Sequence, residues 1–224
     1  MPIKKFSITY LLLCLVLILS SCGSQESKQT EVDEEKEATN KASEIKKNSV
    51  IIDIQPYEGL PKEITEHIFS ELKKIHPNVS LLSTIALPQR AFYKPRGRYR
   101  ADTLIDMLRN KTPNGHVTIG LTNKDISTSS GKHFDWGVMG LGFQPGKACV
   151  ASTFRLSKTN TKEQFFKVAI HELGHTQGLP HCPNTQCIMT DAEGKNKTDN
   201  EKGFCSKCKA VLVNKGFDLS KLSL

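Results

Sequence analysis

Apolar positions along this chain follow two spacings, and the changes from one to the other outline its elements. In "SVIIDIQ" (Ser49–Gln55) a β-branched apolar run stops at Pro56, which predicts a buried first strand. From Pro61 the spacing lengthens. Ile64, Ile68, Leu72 and Ile75 fall on one helical face, with Pro61 opening the helix and Pro77 closing it. The pattern then predicts a strand around Val79–Leu82, a helix over Ala101–Leu108 ended by the turn "KTPNG", and a central strand at His116–Thr122. "WGVMGLGF" (Trp136–Phe143) and "ACVASTF" (Ala148–Phe154) read as strands joined hairpin-fashion by "QPGK". A longer helix runs from about Thr161 to Leu179. Strands alternating with helices and then a hairpin at one side predict an α/β (α+β) fold, a mixed twisted sheet with packed helices.

Two stretches before Ser49 break this pattern. The opening 22 residues place Lys4 and Lys5 ahead of an apolar run from Tyr10 to Leu19, then small residues and Cys22. That is the layout of an export signal, too short for a membrane span. Its ending, "LSSC", resembles the bacterial lipobox, so residues 1–21 are expected to be a lipoprotein signal peptide, with Cys22 as the lipidated first residue of the mature chain. A plain N-terminal membrane anchor is the alternative. Residues 22–48 hold no aromatic and only Val32 and Ile45 as larger aliphatics, which predicts a disordered tether. The folded part is expected over residues 49–224, as one domain.

Charge divides unevenly: +2 from two Lys in the signal, −2 in the tether from five Lys against seven acids, and the remaining +8 in residues 49–224. The basic residues are densest in "QRAFYKPRGRYR" (Gln89–Arg100), where arginines alternate with aromatics. Such a stretch suits a single-stranded nucleic acid, but an exported chain rarely meets one. A solvated loop near membrane or substrate is the expectation, with no nucleic-acid partner.

The chemistry concentrates in "AIHELGHTQGLPHC" (Ala169–Cys182). Residues four apart share a helical face, so His171 and His175 point two imidazoles at one ion, and Glu172 stands beside it, where a general base for an activated water belongs. Gly178 sits where a left-handed residue ends the helix and turns the chain back, bringing His181 round as a third ligand. The pattern HExxHxxGxxH is that of the metzincin peptidases, and Met189 stands where a methionine turn would support the site from below.

Four more cysteines follow in two close pairs, Cys182 with Cys187 and Cys205 with Cys208. The spacing favours a structural zinc. Two disulfides remain the alternative in an exported protein. Cys149, inside "ACVAS", reads as a buried strand cysteine.

Together His171, Glu172, His175, Gly178, His181, Cys182, Cys187, Met189, Cys205 and Cys208 resemble the archaemetzincin pattern, in which a metzincin zinc site runs directly into a four-cysteine zinc site. The likeness extends through "GKACVASTFRL" and "LPQRAFYKPRGRYRADTLIDML", over roughly Val50–Leu212. It implies a zincin-like metzincin domain with an active-site helix and a C-terminal zinc-stabilised subdomain. It also implies two zincs per chain, a catalytic one on the three histidines and a structural one on the four cysteines, with Glu172 as general base in peptide bond hydrolysis.

The expected function is therefore a zinc metallopeptidase acting on a peptide or protein, held as a monomer by a lipid on Cys22 at the cell envelope, on the exported side (periplasmic or cell surface). The substrate is expected to lie along the Trp136–Phe143 strand. The competing reading is a non-catalytic, zinc-stabilised cell-surface binding module. Glu172 speaks against it, because a structural three-histidine site needs no adjacent carboxylate.

Overall fold

A computed structural model describes residues 49–222 and Leu224. In chain order the elements are β1 (Ile51–Pro56), α1 (Lys62–Ile75), β2 (Val79–Leu81), β3 (Phe92–Tyr93), β4 (Arg98–Arg100), α2 (Ala101–Lys111), β5 (His116–Thr122), β6 (Ile126–Ser130), β7 (His133–Val138), β8 (Gly140–Gly142), β9 (Ala148–Ser152), α3 (Thr161–Thr176) and α4 (Ser206–Asn214). The readings made for residues 1–48, Cys22 among them, lie outside the described residues. Among those described, no helix is long and apolar enough to cross a membrane.

The main sheet has the order β2-β1-β5-β9-β8. Its first four strands are parallel and β8 closes one edge antiparallel to β9. Alternation along the strands sets the two faces. Ile52 and Ile54 of β1, Val117, Ile119 and Leu121 of β5, and Cys149 and Ala151 of β9 pack with α1 and α3. Ala148 and Val150 of β9 face the other way, toward Leu104, Ile105 and Leu108 of α2. The result is helix, sheet, helix. On that second face Gly120 is needed for close approach, since a Cβ there would lie 2.9 Å from both Leu108 Cδ1 and Tyr57 Cε2.

Helix α1 forms where the sequence places it, burying Thr65, Ile68, Leu72 and Ile75 with Ile64 packed at the margin. Each fully buried Ile or Leu there contributes about 1.5–3 kcal/mol, and Leu72→Ala costs about 2–5 kcal/mol.

The expected mixed sheet with packed helices is present, and a second sheet, β3-β4-β6-β7, accompanies it. Other expectations are corrected. Trp136–Phe143 is two strands, because the chain changes sheets at Met139: β7 pairs with β6, and β8 with β9. The basic segment forms the β3–β4 hairpin, with Arg90, Lys94 and Arg96 exposed as a solvated loop would have them and Arg98 and Arg100 packed against the fold. Arg98 there is bound to Asp125 at 2.7 Å and Asp135 at 2.8 Å, and Arg100 to Asp102 at 2.6 Å. The ring of Phe134 lies 4.3 Å from the Arg100 guanidinium. Carboxylates distant in sequence neutralise Arg98, and one two residues along neutralises Arg100. Helix α3 ends at Thr176, three residues before the expected Leu179, and α2 runs on to Lys111.

Candidate metal centre

Helix α3 buries every residue from Gln164 through Thr176 except the half-buried His171, because the main sheet covers one face and the C-terminal segment the other. It ends in a Schellman turn: the amide of Gly178 donates to the His175 carbonyl at 2.9 Å and that of Leu179 to the Gly174 carbonyl at 3.0 Å. Gly178 has φ +96, left-handed as a glycine allows. The chain thereby reverses and carries His181 back over the helix, its ring centroid 4.8 Å from that of His175 and 5.5 Å from that of His171.

Backbone carbonyls orient two of the three imidazoles. Nδ1 of His171 lies 2.6 Å from the carbonyl of Ile188, and Nδ1 of His175 lies 2.8 Å from that of Leu179. A carbonyl only accepts, so each Nδ1 carries the proton and each Nε2 offers a lone pair. Those two Nε2 atoms face each other at 3.0 Å. Two lone pairs so close need a cation between them. Tetrahedral zinc with Zn–N near 2.05 Å holds its nitrogens about 3.3 Å apart, so the donors fit that ion. Burial, then the neighbouring His175, pushes the His171 pKa down to about 3, and burial also lowers that of His175. Both rings are neutral, as ligation requires.

Glu172 is 6% exposed and borders the same cleft. Burial pushes its carboxyl up to about 8, and a divalent cation held by the three histidines would pull the other way. Room for it comes from β8: a Cβ at Gly140 would collide with the Glu172 carboxylate, and one at Gly142 would lie 2.7 Å from the Glu172 carbonyl. Met189 is fully buried beneath α3, and a Cβ on Gly174 would be 2.6 Å from its Sδ. The Met189 carbonyl takes the Cys182 amide at 2.7 Å, tying that turn to the residue after His181.

The four C-terminal cysteines come together as a second cluster, their sulfurs within 4.8 Å of one another. All are free thiols. Cys182 and Cys205 lie 3.7 Å apart, far beyond a disulfide bond but matching the roughly 3.8 Å between thiolates on one tetrahedral zinc. Cys187 also accepts the Cys205 amide at 3.3 Å. A hydrogen bond from the Cys208 amide, the largest contribution, lowers the Cys205 pKa to about 7, while burial raises those of Cys187 and Cys208.

Sequence reasoning missed several residues at this site. Asp191 lies 3.5 Å from Nδ1 of His181. Gly140 and Gly142 make space for Glu172, and Arg155, bound to Asp125 at 2.9 Å, lines the cleft. The glycine repeat in "GLG" was the one available signal. Cys149 is buried on β9, as expected.

A cleft of about 520 Å³ with three convergent imidazoles at the C-terminal end of a buried helix defines a zincin-type metallopeptidase fold. Comparison with known proteins agrees. The sequence profile of Peptidase family M54 matches residues 45–214. An archaemetzincin from Haloquadratum walsbyi is 28% identical over 177 residues, covering 73% of this chain and 99% of that one. Among solved structures, archaemetzincin from Archaeoglobus fulgidus, crystallised with malonate, is 30% identical with a TM-score of 0.62, covering 71% of this chain and 98% of that one. That from Methanopyrus kandleri is 27% identical with the same TM-score, covering 75% and 96%. The chain belongs to peptidase family M54, the archaemetzincins, and is a zinc metallopeptidase.

Proposed function

We propose that His171, His175 and His181 hold the catalytic zinc and that Glu172 is the general base of peptide bond hydrolysis. The observation that carries this reading is the pair of Nε2 lone pairs facing at 3.0 Å, each fixed by a carbonyl on Nδ1, beside a buried carboxyl. When bound, zinc supplies a Lewis acid that acidifies water and polarises the scissile carbonyl. The Glu172 carboxylate takes the proton from the attacking water and passes it to the leaving amine nitrogen. The free edge of β8, which lines the cleft, takes the peptide as an added strand. That narrows the expected docking edge from Trp136–Phe143 to Gly140–Gly142.

Cys182, Cys187, Cys205 and Cys208 hold a second, structural zinc; their 3.7 Å sulfur spacing and free thiols support it over two disulfides. The signal-like opening and Cys22 support a lipid-anchored protein at the cell envelope, with residues 49–224 as its catalytic domain. Radiolabelled lipid should enter the wild-type chain and not Cys22→Ala.

Elemental analysis with and without a mild chelator tests the metal assignment. Two zincs, one easily stripped and one retained, are expected; one zinc would return the cysteines to disulfides, and none would sink the reading. Cleavage of a peptide library that stops on stripping and returns with zinc completes the test.

A further inference from the structure

Beside the imidazoles the cleft has a second polar wall that hydrolysis itself does not use. Lys167 lies on α3 four residues before His171, on the same face and about 6 Å away along the axis. Its ammonium is buried and its three protons are taken, by the carbonyl of Thr198 at 3.0 Å, the carbonyl of Glu201 at 2.9 Å and Oε1 of Glu163 at 2.7 Å. Those bonds pin residues 198–201 against the helix and place Glu201 in the cleft wall with Lys167, Val168 and His171.

Glu201 is only 7% exposed and lines the cleft. Among the described residues its carboxylate receives no hydrogen bond and no ion pair, since Lys167 binds the backbone carbonyl instead. A largely buried carboxylate that meets only solvent at the cleft adds nothing to stability from its place. The groups around Lys167 are acidic. Glu163 and Asp199 stand near the spent Lys167, and Asp199 accepts from Gln164 at 2.7 Å. Of the other charged groups lining the cleft, Arg155 is bound to Asp125 and Asp191 faces His181, while Glu193 is bound by Lys197. Lys195 also borders the cleft.

We infer that Glu201 reads the substrate, its carboxylate accepting the cationic side chain of a lysine or arginine that flanks the bond to be cleaved. This deepens the peptidase reading and rests on it. Val168 and Met139 give the aliphatic stem of such a side chain an apolar path. Burial pushes the Glu201 carboxyl up to about 7 against the pull of Lys167; an entering cation adds to that pull and supplies the missing bond. Sites that pair a buried polar group with the ligand discriminate most strongly against analogues lacking the partner.

The test is binding of three zinc-directed hydroxamates to the zinc-loaded full chain, by calorimetry. They carry a lysine, a norleucine or a glutamate side chain beside the hydroxamate. The lysine compound is expected to bind wild type about tenfold more tightly than norleucine, with glutamate weakest. In Glu201→Gln, checked for zinc content and melting, the lysine advantage should fall to about twofold or less. Equal affinities for lysine and norleucine in wild type, or an undiminished advantage in the variant, overturn the inference and leave the peptidase reading standing. Failure of wild type to bind any of the three overturns the zinc-peptidase reading and this inference with it. The wild-type order alone decides the matter should the variant not fold.

Discussion

The two candidate metal-binding clusters meet at the peptide bond between His181 and Cys182 and are built on opposite plans. In the histidine cluster two ligands sit on a rigid, buried helix and the third, His181, is exposed on a loop, with a cleft of about 520 Å³ opening beside them. In the cysteine cluster Cys187 and Cys208 are buried, an amide points at a sulfur, and the donors come from a turn and a helix start. An open set of neutral nitrogens suits a metal that keeps a position for substrate, whereas a closed set of thiolates suits one that only holds the chain. The adjacency of His181 and Cys182 would make a metal on the cysteines a brace for one on the histidines.

The largest test of this contrast is Glu172→Gln. Turnover should fall by about 10²–10⁴-fold while zinc content and melting temperature stay near wild type, since only the proton acceptor is removed; peptide cleavage and elemental analysis read the two separately. Cys208→Ala attacks the brace. It should lower the melting temperature by on the order of 10 °C, and it should loosen the catalytic metal too, because the turn that carries His181 loses its anchor. Retained affinity at the histidines would separate the two clusters.

Gly140→Ala sharpens the comparison further. Its Cβ would push on the Glu172 carboxylate, the movable end of a side chain. Activity should drop by about 10²-fold with little change in stability or in either metal.

The smallest effect concerns Glu201. Its folded pKa of about 7 lies above the value of an unfolded glutamate, so the folded state binds the extra proton and stability falls as pH rises from about 4.3 through 7. Lys167 opposes the shift. Melting curves of wild type and Glu201→Gln should therefore coincide near pH 4 and diverge in favour of the variant up to pH 8.

Short-range spacing made much of this readable in advance. His171, Glu172 and His175 share a helix, and Gly178 sits at the one point where a left-handed turn brings His181 back, so four residues of the cluster follow from helical geometry alone. The same holds for the α1 face and for the alternation along β1 and β5. Where the reading failed, the deciding contact was distant in sequence. The chain's change of sheets at Met139 depends on which partner each half of Trp136–Phe143 finds, β6 or β9. The charge on Arg98 was visible, but not the Asp125 and Asp135 that neutralise it.

Sequence by itself thus determined the family, the ligand types and their order, because those depend on bonds and turns spanning a few residues. Only the tertiary structure decided what surrounds them: the glycines of β8 that admit Glu172, the carbonyls that fix each imidazole, and the placement of Glu201 in the cleft by Lys167, 34 residues away. The physical reason is that burial and electrostatic pairing act through space, and no local period along the chain records which distant group will fill the next position.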